Sequence, residues 1–173
     1  MKKVSKFFLY KVGKHFGDVD EGSLTKFGMR FRLFFARKIS PGISKKANIH
    51  KGARIVGDGK NLIIEEHAAL GVNCICSSSV FIGKHTMMGP DVTIYTSNHF
   101  FNIEKNVFDG SIDKPVYIGQ HCWIGKSVII LPGAHIGNYC IVGAGAVVPG
   151  KNYPDYSVIV GNPAEIKKKL KEE

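Results

Sequence analysis

The sequence has few cysteines, few acidic residues and no long apolar run. Its four cysteines form no Cys-x-x-Cys pair, which favours small buried thiols in a reducing compartment over a metal site. Lys and Arg interrupt every apolar stretch before it reaches membrane-spanning length, and no signal-peptide pattern is found, so we expect a cytoplasmic protein. The sequence contains 14 acids and 24 Lys and Arg, so its net charge is +10. A charge of this sign suits phosphate-bearing ligands, nucleic acid or an anionic membrane.

What the sequence does contain is a repeat of six residues. It runs from Ile64 to Ile94 and resumes in the same phase at Ile118. The first slot of each repeat takes a bulky apolar residue, namely Ile64, Leu70, Ile82, Met88, Ile94, Ile118, Ile124, Ile130, Ile136 and Val142. The second slot is usually glycine, and the fifth takes a small or β-branched residue. Such a period is typical of a parallel β-helix, in which each repeat supplies one short strand and one corner.

The physical basis of this prediction is that one repeat cannot bury its apolar residue alone. Stacked coils place first slot over first slot and build a continuous apolar column. We expect the second-slot glycine to adopt positive φ at a sharp turn. The apolar spacing i, i+3, i+4, i+7 of an amphipathic helix is missing from this stretch, so the sequence predicts an all-β solenoid.

The first 45 residues do not repeat and are predicted to form a helical cap. Ser23 is a candidate N-cap for a helix from Leu24 to Lys38, which Pro41 and Gly42 would end. Because this helix mixes phenylalanines with Lys and Arg, two roles are open. It covers the open end of the solenoid, or it rests on an anionic bilayer as a peripheral membrane contact, and both could hold.

The remaining chain divides into a solenoid and an extension. We expect the β-helix to occupy residues 46–150, with an inserted loop at 100–117 that breaks the pattern but keeps its phase. A long irregular excursion in a compact domain is usually functional, and this one directly follows His99. Residues 151–173 are predicted to leave the solenoid and to end in a short helix over the last coil.

At this point the residues resemble a known family. The run V-Y-I-G-Q-H-C-W-I-G-K-S-V-I-I-L-P-G-A-H-I-G-N-Y-C-I-V-G-A-G-A-V-V-P-G, followed by V-I-V-G-N-P-A, is similar to hexapeptide-repeat O-acetyltransferases. The run looks like the maltose, galactoside and Nod-factor branch and related enzymes of surface-polysaccharide synthesis. The resemblance implies a left-handed β-helix assembled as a homotrimer, with acetyl-coenzyme A as the co-substrate. The handedness comes from the resemblance, since left-handed crossovers are otherwise rare.

The resemblance also implies a catalytic base. Family members carry a Tyr-Thr-x-x-His segment before an extended loop, and I-Y-T-S-N-H supplies it here, ending in His99. A neutral imidazole within reach can take the proton of an alcohol as it attacks a thioester, and the pKa of histidine suits that task. Asn73 and Asn98 are the candidate residues for binding the acceptor.

A second group of residues is implied to hold the coenzyme in a groove between neighbouring solenoids. Trp123, Gly125 and Lys126 would lie beside the thioester. The three small residues Gly143, Ala144 and Gly145 would let the pantetheine arm approach the backbone. Lys167 and Lys168 would meet the nucleotide phosphates as point charges. Two structural alternatives stay open: Trp123 packs at a seam between protomers, and the two lysines belong to a solvated helix.

Three histidines in the fourth slot, His67, His85 and His121, raise the question of a zinc site. Gamma-class carbonic anhydrases share this fold and need three converging histidines, two of them close in sequence. No His-x4-His pair occurs here. We therefore expect solvent-facing turn residues and no metal.

The sequence favours an acyltransferase that moves an acetyl group from acetyl-coenzyme A to a sugar hydroxyl in capsule, O-antigen or exopolysaccharide synthesis. One alternative is acetylation of serine or an amino sugar, although the extra domains of those enzymes have no room here. Another is a non-catalytic β-helix that binds the coenzyme. Nucleic-acid binding is not favoured, because the basic residues are scattered or lie at the two ends without a recognition motif.

Overall fold

The structure of the protein, a computed structural model, describes residues 1–17 and 23–170. Helix α1 (Lys2–Phe7) continues as a π-helical stretch at Phe8–Val12 and a 3-10 turn at Gly13–His15, and α2 spans Ser23–Ile39. The strands in chain order are β1 (Asn48–Ile49), β2 (Arg54–Ile55), β3 (Ile63–Ile64), β4 (Ala69–Leu70), β5 (Ile75–Cys76), β6 (Val80–Ile82), β7 (Met87–Met88), β8 (Thr93–Ile94), β9 (Ser97–Asn102), β10 (Val107–Asp113), β11 (Val116–Ile118), β12 (Trp123–Ile124), β13 (Ile129–Ile130), β14 (His135–Ile136), β15 (Ile141–Val142), β16 (Val147–Val148), β17 (Asn152–Tyr153), β18 (Ser157–Gly161) and β19 (Ala164–Lys169). No helix of the described part is long and apolar enough to cross a bilayer.

The short strands stack into three flat faces. Face I contains β3, β6, β11, β14 and β17; face II contains β7, β12, β15, β18 and β19; face III contains β2, β5, β8, β13 and β16. The chain passes from face I to II at corner 1, from II to III at corner 2, and from III back to I at corner 3. Pairing between coils is parallel, except where β19 returns along β18. The all-β solenoid is confirmed.

The core is the predicted column of repeat residues. First-slot side chains are at most 8% exposed, the largest value being that of Met88. Fifth-slot side chains of the stacked coils are buried as well, including Cys74, Cys122 and Cys140. All four cysteines are free and buried, and burial raises the pKa of the Cys74 thiol to about 12. Cys74 therefore acts as a small apolar group, as predicted for the cysteines, whereas the hydrogen bond with Cys122 lowers the pKa of the Cys140 thiol.

The second-slot glycines serve a different purpose from the one we predicted. Positive φ falls on the fourth slot, where His85 has φ 58° and His121 has φ 55°. The glycines instead allow close stacking of corners. A Cβ on Gly119 would lie 2.6 Å from the carbonyl carbon of Gly137 in the next coil. Side chains are excluded there because the backbones of adjacent coils leave no volume for one.

The helical cap covers the first coil. Ala36 and Ile39 of α2 are fully buried in the same core as the solenoid. Arg32 is 1% exposed and donates to the Ile49 carbonyl at 2.9 Å. Its guanidinium also donates to the carbonyl oxygens of Gly13, Phe16 and Gly17. The predicted helix is confirmed within one residue at each end, while the proposed capping by the Ser23 side chain lies outside the described residues.

The carboxyl-terminal end differs from the prediction in two ways. The solenoid continues past residue 150, because Tyr153 and Ile159 fill the core of one further coil. The predicted terminal helix is wrong: residues 164–169 form β19, which pairs antiparallel with β18. A helix would leave the backbone of β18 unpaired along its outer edge, whereas the returning strand satisfies it.

Candidate functional site

An antiparallel hairpin, β9 with β10, projects from corner 3. A hydrogen bond of 2.6 Å from the Lys114 N–H to the Thr96 carbonyl closes its base. Every residue of the two strands is exposed except the half-buried Asn102. The bounds of the insertion differ from the predicted 100–117, because the hairpin starts at Ser97 and ends at Asp113, and residues 116–117 already belong to β11. His99 lies inside the hairpin rather than before it.

His99 is exposed on β9, opposite Ser111 of β10. Its ring meets the Phe108 ring edge-on, with centroids 6.2 Å apart. Successive side chains of a strand point to opposite sides, so Asn98 faces away from His99 across the ribbon. The structure therefore does not bring this candidate acceptor residue to the imidazole within one protomer.

The coenzyme candidates cluster along face II and corner 2. Trp123 is 54% exposed, and its strand lies between the strands of Met87 and Ile141. At the adjoining corner the Gly145 N–H donates to the Lys126 carbonyl at 2.8 Å. Gly145 has φ 71° and open space where a Cβ would stand. These residues form one continuous surface with Gly125, Gly143 and Ala144.

Corner 2 also holds a residue that sequence reasoning missed. Asp91 accepts a hydrogen bond of 3.1 Å from the Asn73 amide and lies 3.9 Å from the Lys126 ammonium. Asn73 therefore belongs to corner 2, away from the hairpin of its own protomer. The signal was available, because Asn73 and Asp91 both occupy the fourth slot and stack 18 residues apart.

Lys167 and Lys168 are exposed on β19 at the far end of face II. Lys168 stands opposite Val158, which stands opposite Ile141, the neighbour of Trp123. Three strand spacings of about 4.8 Å place Lys168 about 14 Å from Trp123 along the face. An extended ligand lying along face II would thus meet an indole at one end and a cation at the other.

Corner 1 carries the predicted solvent-facing histidines as a stack of rings. His67, His85 and His121 lie parallel with centroids 5.0 and 4.9 Å apart. Tyr139 and Tyr156 extend the same stack. Parallel rings at this spacing do not converge on a point, and the described residues contain no cluster of His, Cys, Asp or Glu able to hold a metal ion.

The parts of the candidate site are thus divided between opposite sides of the triangle. His99 stands at corner 3, whereas Trp123 and Lys126 lie on face II and corner 2. The hairpin also exposes apolar side chains, with Phe100 and Phe101 about half exposed and Ile103 at 85%. One protomer holds the candidate base and the candidate coenzyme surface on opposite sides of the triangle.

Comparison with known proteins agrees with this architecture. A family model described as "Bacterial transferase hexapeptide (six repeats)" matches residues 115–150. The galactoside O-acetyltransferase of Lactococcus lactis is 36% identical over 104 residues, which cover 60% of this chain and 50% of that protein. A putative lipopolysaccharide biosynthesis O-acetyl transferase of Escherichia coli, WbbJ, is 38% identical over 104 residues, covering 55% and 53%. The crystal structure of a maltose O-acetyltransferase from Clostridium difficile aligns with a TM-score of 0.75 at 28% identity, covering 99% and 87%.

The fold and the repeat define the class, a left-handed parallel β-helix built from hexapeptides. The chain carries the hexapeptide repeat of bacterial transferases at residues 115–150 and is similar to O-acetyltransferases built from that repeat. It spans about half the length of the curated relatives that it matches.

Proposed function

We propose that the protein is an acetyl-coenzyme A-dependent O-acetyltransferase that acts on a sugar hydroxyl. The observation that carries this proposal is the hairpin bearing His99, which interrupts an otherwise regular solenoid at one corner. The name of the Escherichia coli relative supports an acceptor in surface-polysaccharide synthesis, either the polymer or its lipid-linked precursor. A cytoplasmic location, where acetyl-coenzyme A is available, is part of the same proposal.

The proposed chemistry is a direct transfer. The neutral imidazole of His99 accepts the hydroxyl proton while the oxygen attacks the thioester carbonyl carbon. The tetrahedral intermediate collapses with loss of the thiolate, which takes the proton back from the imidazolium. The products are the acetyl ester and the free thiol. Backbone N–H groups at a corner are suited to stabilise the developing oxyanion.

Coenzyme binding is assigned to face II. The glycines around corner 2 let a narrow, amide-rich arm approach the backbone, because no side chain fills the space beside Gly145. Lys126 supplies a positive charge near Trp123, and Lys168 supplies another about 14 Å further along the face. That length suits a pantetheine arm with its phosphates at the β19 end.

The divided site is the argument for a homotrimer. His99 of one protomer can reach a ligand on face II only if that face belongs to a neighbour. Parallel packing of three triangular prisms provides three such clefts, and it covers the apolar hairpin residues and the exposed Trp123 and Met87 of face II.

The test is thiol release from acetyl-coenzyme A with a panel of sugars, amino sugars and serine. We expect ester formation on a sugar, with kcat reduced about 10²- to 10⁴-fold in His99→Ala because a general base is lost. Coenzyme affinity, measured by calorimetry, should be unchanged. His15→Ala, which removes an exposed histidine of the cap, is the matched control.

Four results would refute the proposal. Equal turnover by wild type and His99→Ala would remove His99 from its role. Acetylation of amines alone would favour the amino-sugar alternative, and transfer to serine alone would favour the serine alternative. Coenzyme binding without any transfer would identify a non-catalytic β-helix.

A further inference from the structure

The positive charge of the protein is concentrated in its cap and first coil. Residues 1–57 contain 14 of the 24 Lys and Arg and only 3 of the 14 acids, Asp18, Asp20 and Glu21, which lie outside the described residues. Residues 58–173 carry 10 basic and 11 acidic residues and are nearly neutral. The charge of +10 therefore belongs to one end of the solenoid and not to the whole molecule.

Helix α2 presents an outward stripe of alternating aromatic and basic residues. Its inner stripe, Gly28, Arg32, Ala36 and Ile39, is buried on the first coil and on the segment before it. The outer stripe, at spacings of three and four, is Phe27, Arg30, Phe34 and Lys38. Phe27 and Phe34 are 55% and 56% exposed. An ordinary solvated helix face carries charges of both signs and few large apolar groups.

The amino-terminal segment repeats this pattern. Lys3, Phe7, Lys11 and Lys14 are exposed along one side of α1 and its continuation. Phe7 is 57% exposed and contacts Phe8, which stacks on Phe35 of α2 with centroids 4.9 Å apart. The rings form one connected cluster that includes, in addition, Phe16, Phe27, Phe31 and Phe34.

The contacts that hold the cap on the solenoid do not use these exposed aromatic and basic side chains. Arg32, Ala36 and Tyr10 face the solenoid, with the Tyr10 hydroxyl donating to the Ile55 carbonyl at 2.7 Å. The outer cations that frame the aromatic cluster are Lys3, Lys11, Lys14, Lys26, Arg30 and Lys38, and all six are exposed. Covering the end of the solenoid therefore explains only the inner side of the cap.

We propose that this basic aromatic surface docks the protein on an anionic lipid bilayer. Phenylalanines enter the boundary between headgroups and acyl chains, and the ring of cations meets lipid phosphates. Residues 1–17 and 23–57 contain no acid. Their charge therefore complements a uniformly anionic membrane better than a protein surface of mixed charge. Where the proposed trimer forms, three caps lie at the same end and bind together, which increases avidity.

The test is flotation of the full chain, at about 50 and 500 mM salt, with vesicles of phosphatidylcholine alone or of phosphatidylcholine with about 40% phosphatidylglycerol. We expect binding only to the anionic vesicles, lost at high salt. The triple change Lys3→Glu, Lys11→Glu and Lys14→Glu should weaken partitioning at least about 100-fold. The control changes Lys60, Lys84 and Lys151 of the solenoid to Glu, so its net charge equals that of the cap variant. Its binding should stay within a few fold of wild type.

A second variant separates apolar insertion from charge alone. Phe7→Ser, Phe27→Ser and Phe34→Ser together should abolish flotation while circular dichroism and solution mass stay as in wild type, since all three rings are more than half exposed. Absence of wild-type flotation at low salt would overturn the proposal. So would equal loss of binding in both charge variants, or a change of oligomeric mass in the serine variant, which would assign the surface to a second copy of the chain.

These outcomes are independent of the proposed reaction. His99→Ala should float as wild type does, and both cap variants should keep wild-type turnover on a soluble acceptor. Failure of flotation with turnover intact would reject the membrane surface alone, whereas flotation without turnover in wild type would reject the proposed reaction alone.

Discussion

At the scale of single residues, the hexapeptide combines two separate backbone requirements that look alike in the sequence. The fourth slot needs a residue that tolerates positive φ, and histidine, asparagine, aspartate and tyrosine all fill it. The second slot needs the absence of a side chain because the next coil lies against it. Repeat spacing predicted which positions were buried, but it could not tell these two needs apart, since glycine satisfies both.

The second-slot requirement predicts a large effect of a single methyl group. Gly119→Ala places a Cβ 2.6 Å from the backbone of Gly137, so it should lower the free energy of unfolding by about 1–3 kcal/mol through overpacking. Gly145→Asn, at a positive-φ site with open space, is the control and should change stability little. Urea denaturation followed by circular dichroism measures both. Equal midpoints for the two variants would contradict the account of the glycines.

The hydrogen bonds of Asp155 at corner 1 predict that the stability of the protein depends on pH. Hydrogen bonds from the Asn138 side chain, at 3.0 Å, and from its backbone N–H, at 2.8 Å, lower the pKa of this carboxyl group. A lowered folded-state pKa stabilises the protein above the unfolded value and loses that effect as pH falls through the folded value. Because the group is exposed, Asp155→Asn should cost no more than about 1 kcal/mol at neutral pH.

The sign of the effect makes this prediction testable by titration of stability. The difference in unfolding free energy between wild type and Asp155→Asn should shrink below about pH 4. Asp109→Asn, on the exposed hairpin, serves as the control. A difference that grows with acidity would show that the carboxylate hydrogen bonds do not stabilise the corner.

At the scale of elements, sequence periodicity predicted the elements whose conformation is set by buried apolar residues. It did not predict the strand whose conformation is set by backbone pairing. Helix α2 was predictable because its buried residues recur at helical spacing. Strand β19 was not, because only Ala164 of its six residues is buried and the lysine run carries no pattern. Its conformation is set by the open edge of β18, which only the assembled solenoid creates.

Arg32 fixes helix α2 of the cap in place through the hydrogen bonds of its buried guanidinium. Replacing it by Met removes the donors to four carbonyl oxygens from a buried site, so the free energy of unfolding should fall by about 2–4 kcal/mol. Arg30→Met, on the exposed side of the same helix, should change it little. Hydrogen exchange should show faster opening of α2 in the Arg32 variant alone. Identical exchange in the two variants would show that the guanidinium does not fix the cap.

At the scale of the whole molecule, the fold divides the candidate site. The resemblance offered His99 and the small residues around Gly145 as candidates, but His99 lies on the hairpin and not on the solenoid. The repeat did not show that the hairpin and face II lie on different sides of the triangle, because the chain leaves the repeating solenoid at Ser97, before His99. Asp91 differs, because its stacking on Asn73, 18 residues away in the same slot, follows from the repeat and was missed.

The cleft between protomers is the central claim, and complementation between two inactive variants tests it most directly. His99→Ala supplies an intact face II, and the double change Trp123→Glu and Lys126→Glu supplies an intact hairpin. Co-expressed in equal amounts, the two should yield about a quarter of wild-type acetyl transfer, because each site draws its base and its ligand surface from different protomers at random. Activity no higher than that of either variant alone would contradict a site shared between subunits.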